Sequence, residues 1–232
     1  MKINIIKCLE FLDNPSVRGH ASAIVGMIGE ELNACAFKHY IDNNGGKAKI
    51  LCDDNSKPLC VTPGTSKGKR LDRWIEVDKG GNKTLFQCEI KNWSATAIGG
   101  KFLAVNADEE ETKKVTNNYW SHQMKTEFSN EKYPSGVTKV FGKMKLPKEY
   151  SKTQPLLIYW MPISKSDRLD PFFNVSIKSF NNSAIKTEFE KLHIFSVSLY
   201  FRKLLKNKIK TINFDMPASE YRIGILKSMG FL

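Results

Sequence analysis

At 232 residues the chain is long enough to bury one sizeable core, and neither a Ser/Gly/Pro-rich linker nor an internal repeat divides it, so a single domain over 1–232 is expected. Its 36 Lys and Arg against 24 Asp and Glu leave a formal charge of +12, which favours an anionic partner, nucleic acid foremost, while no long apolar run offers a membrane-spanning helix. Cys8, Cys35, Cys52, Cys60 and Cys88 are odd in number without a CxxC pair, and His20, His39, His122 and His193 lack metal-ligand spacing, which argues against a disulfide framework or a zinc site.

The opening "MKINIIKCLEFL" is too short in its apolar part, and too soon followed by Glu and Asp, for a secretory signal, so a cytoplasmic location is expected. In "ASAIVGMIGEELNACAFKHYIDNNGG", Ile24, Ile28, Leu32 and Cys35 fall at helical spacing and Gly45-Gly46 supply a stop. That predicts an amphipathic helix covering a sheet. Glu31, three after Ile28 and four before Cys35, lies on its inward stripe, whereas Glu30 groups with Met27 and Ala34 at the flank. "AKILCD" then reads as a short strand, and "VTPGTSKGKR" as a polar loop ending in Lys67, Lys69 and Arg70.

A hairpin follows. Residues 71–77 and 84–91 are rich in Ile, Val, Trp, Phe and Leu, and Gly80-Gly81 between them suits a tight two-residue turn, which pairs Lys79 with Asn82. Counting outward, Val77 meets Thr84, Ile75 meets Phe86, Trp74 meets Gln87 and Asp72 meets Glu89. One face is apolar. The period of two puts Asp72, Glu89 and Lys91 on the other, the two carboxylates forming a cross-strand pair roughly 5 Å apart at Cβ. Like charges at that spacing repel, so a cation is required: Lys91, two residues from Glu89, or a divalent metal with hard oxygen ligands.

Downstream, a charged helix is predicted from about Ala107 to Phe128, then an apolar strand "QPLLIYWMPIS" and a strand "FNVSIKSF". A helix over "EFEKLHIFSVSLYFRKLL", a strand "KTINFDM" and a closing helix "SEYRIGILKSMGF" complete the chain. Arg202, Lys203, Lys206, Lys208 and Lys210 form a run without an acid, fit either to grip phosphates or to complement a helix C-terminus.

An Asp near the end of one strand followed by Glu-x-Lys on the next antiparallel strand, here Asp72 and Glu89-Ile90-Lys91, resembles the PD-(D/E)xK nuclease superfamily of restriction endonucleases and Holliday-junction resolvases. The motif spans residues 72–91, and Leu71 stands where the family usually has a proline that carries no chemistry. The resemblance implies an α/β fold, a restriction-endonuclease-like αβββαβ core over about residues 20–165 with a central mixed sheet flanked by helices; the elements beyond it read as an α/β C-terminal extension over about 166–232. It also implies a glutamate on the first helix facing the site, Glu31 (or Glu30), and offers Gln123 as a site glutamine on the later helix.

The activity implied is metal-dependent hydrolysis of phosphodiester bonds in nucleic acid, DNA more than RNA, in a restriction or phage-defence setting. Mg²⁺, with Mn²⁺ as substitute, would be held by Asp72, Glu89, the Ile90 carbonyl and Glu31, lowering the pKa of a bound water and neutralising developing charge. Lys91 would stay protonated beside two carboxylates and act electrostatically. Lys67, Lys69 and Arg70, with Lys206, Lys208 and Lys210, are the candidate phosphate contacts, and Trp74 and Trp93 flank the motif as stacking or packing residues. A homodimer, or a partner subunit of a larger system, is compatible with this. The expectation from another class is a nuclease-like fold that holds nucleic acid or a partner protein without cutting.

Overall fold

The structure is a computed structural model that describes residues 1–13, 21–53, 71–91, 108, 110–118, 140–141, 146–160, 169–176 and 189–231, with 12–13 and 21–25 described by their backbone. The elements in chain order are β1 (Lys2–Asn4), α1 (Ile5–Asp13), α2 (Ala21–Asp42), β2 (Lys47–Ile50), β3 (Arg73–Lys79) and β4 (Asn82–Lys91). After them come β5 (Gln154–Tyr159), β6 (Phe172–Ser176), β7 (Lys191–Ser196), α3 (Val197–Lys206), β8 (Thr211–Asn213) and α4 (Pro217–Ser228). Residues 110–118 are also helical, inside the stretch where the charged helix is predicted.

Six strands form one mixed sheet in the order β2-β3-β4-β5-β7-β6, and β1 pairs with β8 apart from it. β3 runs antiparallel to both of its neighbours, β2 and β4, while β5 and β7 run parallel to β4 and β6 closes the edge antiparallel to β7. The fold is therefore mixed α/β, a six-stranded sheet flanked by helices. β6 and β7 come from beyond residue 166, so that part of the chain widens the sheet itself.

Helix α2 covers one sheet face. Leu32, Ala36 and Phe37 pack into a cluster with Ile75, Val77, Phe86, Cys88, Ile90, Leu156, Ile158 and Phe195. The alternation along each strand is what gathers them, since Phe86, Cys88 and Ile90 are two apart and all point the same way. α2 ends where predicted: Gly45 takes φ +77, and a Cβ on Gly46 would stand 2.9 Å from Ile41 Cγ2 and 3.1 Å from the Asp78 carbonyl oxygen. Only glycine lets the helix end sit this close to the hairpin. The opposite face carries Leu51, Leu71, Trp74 and Leu85, with Leu146 and Tyr150 packed on them.

One predicted element is corrected. "EFEKLHIFSVSLYFRKLL" is not one helix: Lys191–Ser196 is strand β7 and the helix starts at Val197. β7 lies between β5 and β6; Lys191 and His193 alternate with the buried Leu192 and Ile194, and from Ile194 to Ser196 every residue is buried, so the alternation covers only four residues. Ser196 marks the change, its hydroxyl accepting from the Leu199 amide as the N-cap of α3.

Candidate functional site

The hairpin turn sets the site. Gly80 and Gly81 take φ +59 and +85, as a tight turn between twisted strands demands, and the Asp78 carboxylate accepts from the Gly81 amide at 2.8 Å. The register follows as expected, with Lys79 opposite Asn82, Val77 opposite Thr84, Ile75 opposite Phe86 and Trp74 opposite Gln87. The ladder stops at Arg73 opposite Cys88. One step further, Asp72 Oδ2 accepts the Ile90 amide at 2.7 Å, so a side chain takes the place of a main-chain partner just where β3 leaves β4. β4 continues to Lys91 beside β5 alone, with Glu89 opposite Leu157 and Lys91 opposite Tyr159.

The charges are unequal in their burial. Glu89 is 1% exposed, and Lys91 Nζ donates to its Oε1 at 2.6 Å while remaining 31% exposed. A carboxylate so buried is tolerable only when paired, and a lysine two residues along the same strand face is the nearest cation the chain can supply. On the other face of the sheet the Arg73 guanidinium donates to the Asp72 carbonyl oxygen and lies 3.3 Å from Glu30 Oε2. Between the acids, Cys88 is pushed well above its ordinary pKa, first by burial and then by the charges of Asp72 and Glu89. It stays a thiol and is no nucleophile.

The structure brings together Asp72, Glu89, Ile90 and Lys91, and it leaves Glu31 out. Glu31 does lie on the half-buried side of α2, yet its carboxylate accepts from the Ala218 and Ser219 amides, at 3.2 and 2.7 Å, and from the Ser219 hydroxyl. It caps α4. The expected site role for Glu31 is thereby corrected: α2 packs on the face that Cys88 and Ile90 share, and the Glu89 side chain points to the other. Glu30 reaches toward the motif through Arg73. Among the described residues no group of three or more His, Cys, Asp or Glu gathers as a metal cage.

Lys206, Lys208 and Lys210 are exposed at the end of α3, whose buried residues Phe201 and Leu204 join the α2-side cluster, so the run is not on the carboxylate face. Trp74 is fully buried, which makes it packing and not a stacking platform. Lys67, Lys69, Arg70, Trp93, Gln123, Cys60, His20 and His122 lie outside the described residues. Of the other histidines, His39 Nδ1 pairs with the Tyr200 hydroxyl, and His193 stacks on Phe172 with its pKa pushed down to about 4 by burial and then by Lys191. Arg73 was missing from the expectation, although a signal existed: it shares the inward face of Ile75 and Val77, where an unpaired cation is costly.

No family model, curated protein or solved structure matches the chain.

Proposed function

We propose that the chain is a metal-dependent nuclease, an endonuclease hydrolysing phosphodiester bonds of nucleic acid with DNA favoured, of the restriction-endonuclease-like kind that its motif resembles. The observation that carries this is Asp72 set against Ile90 at the point where β3 leaves β4, with the buried Glu89 and its Lys91 on the adjoining strand positions. The order α2, β2, β3, β4, helix 110–118, β5, with β5 parallel to β4, supports the αβββαβ reading.

The donor set fits Mg²⁺ without Glu31, because that ion is commonly held by one or two carboxylates together with waters and substrate phosphates. Asp72 and Glu89, with the Ile90 carbonyl, would hold it. When bound, the ion lowers the pKa of a coordinated water and offsets the negative charge that develops on phosphorus-bound oxygens. Glu89 holds Lys91 in place, and the partial exposure of Lys91 leaves its ammonium within reach of an arriving phosphate. Asp72, fixed through the Ile90 amide and the Arg73 guanidinium, keeps its carboxylate at one position before substrate arrives. Lys91, charged and partly dry, stabilises the transition state electrostatically.

Plasmid DNA and structured RNA incubated with Mg²⁺, Mn²⁺ or chelator test the reading. Cleavage is expected with metal alone, and Glu89→Gln should lower it by at least about a hundredfold, roughly 2.7 kcal/mol of barrier, while the fold is kept. Wild-type turnover in that variant would refute the assignment. A second reading, a binding module that does not cut, is favoured by the closed Glu89–Lys91 contact and by the absence of a third acid beside it among the described residues. It expects nucleic-acid binding that ignores both metal and Glu89→Gln.

A further inference from the structure

Five large apolar side chains are strongly exposed among the described residues, and four of them, Tyr221, Ile225, Met229 and Phe231, belong to α4 or the turn that ends it. Such clustering marks an interaction face more than chance exposure. α4 is fastened to α2 chiefly near its start, by Glu31 at the Ala218 and Ser219 amides and by Arg222 donating to the Met27 carbonyl. Ser219 alone is buried along it. With 3.6 residues per turn, Tyr221, Gly224, Ile225 and Ser228 share the face turned away from α2, and Met229 borders it.

Two features of this face choose its occupant. The first is Gly224. A Cβ built there meets nothing within 4 Å, so the chain's own packing does not require a glycine that weakens the middle of a helix. What the missing side chain permits is close approach of another backbone. The second is charge: Glu220 and Lys227, one heptad apart, line one flank of the face, and their midpoint falls beside Gly224. In an antiparallel pair of identical helices related by a two-fold axis, each flank meets its own copy, so Glu220 of either copy faces Lys227 of the other. Glu220 also takes the Met1 ammonium at 2.8 Å and still keeps 55% of its side chain exposed. The face is its own complement.

We propose that two copies of the chain associate through α4, antiparallel about a two-fold axis near Gly224, burying Tyr221, Ile225 and Met229 between them. The interface is self-matching, so it needs no other protein. It lies on the α2 side of the fold and leaves the Glu89 face of the sheet open.

Sedimentation of the full chain over a range of concentrations tests this. Wild type should pass from monomer to dimer as concentration rises. Gly224→Arg should keep the circular dichroism of the wild type and remain monomeric, and Lys227→Glu, which sets two acids against each other twice, should weaken the dimer by about tenfold or more. Gly224→Cys supplies a second measure: a residue on the axis meets itself, so mild oxidation should link two chains through position 224. A wild type that is monomeric at every concentration overturns the proposal. A dimer indifferent to Gly224→Arg or Lys227→Glu, or a Gly224→Cys variant that links no faster than wild type, overturns it as well.

Discussion

The two faces of β4 are one strand with two occupations. Toward α2, Phe86, Cys88 and Ile90 enter a dry cluster in which Phe37 meets Phe86 and Phe195 edge-on at 6.1 and 5.2 Å. Away from α2, Gln87, Glu89 and Lys91 alternate with them, and Gln87 donates to the Val140 carbonyl while Glu89 is held by Lys91. The first face repays burial with packing, and the second keeps a charge where packing alone would exclude it. The difference teaches that the pleat separates packing from buried charge along one strand, so the two ought to be separable by mutation.

The strongest way to break that comparison is Phe37→Ala. It should lower stability by about 3–5 kcal/mol, through lost transfer free energy and the cavity left behind. Activity per folded molecule should persist, as judged by denaturant titration beside a cleavage assay; loss of both in proportion would mean that the faces are coupled. Next comes Lys91→Ala, expected to cost about 2–3 kcal/mol because Glu89 would remain buried without its cation. The double variant Glu89→Gln, Lys91→Met should recover most of that stability and none of the activity. If the single variant is as stable as wild type, Glu89 is held by something other than Lys91.

The smallest effect sharpens the dry side by pH. His193 sits against Phe86 and Phe172 with its pKa pushed down from 6.5 to about 4. The unfolded chain therefore binds the proton that the folded chain refuses, and stability present above pH 6.5 is lost as pH falls toward 4. At about pH 4.5 the loss should be on the order of 2 kcal/mol relative to pH 7, and His193→Phe should remove it from a series of urea titrations.

Much of the hairpin was legible in the sequence because a two-glycine turn leaves one register, and one register sorts every later side chain by face. Glu89 and Lys91 followed from that count, whereas Asp72, expected opposite Glu89, lies one step past the ladder and accepts the Ile90 amide. β7 was not legible, because its alternation lasts only from Lys191 to Ile194 before three consecutive buried residues lead straight into α3, and its apolar residues happened to match helical spacing. Glu31 failed for another reason: periodicity says that a residue faces inward but not which neighbour it meets, and the neighbour was the start of α4, almost two hundred residues away in sequence. Arg73 was not legible because its partner, Glu30, is brought to the opposite face of the hairpin only by the packing of α2.

The central place of β4 also has a bearing on synthesis. Its partner on one side, β3, precedes it directly, but β5 begins only at Gln154 and β7 at Lys191. While the chain emerges from the ribosome, β4 is an open edge whose unpaired amides and apolar residues invite association with other nascent chains. The same order withholds the finished site until β5 has docked, so truncated products should carry the motif without a formed centre.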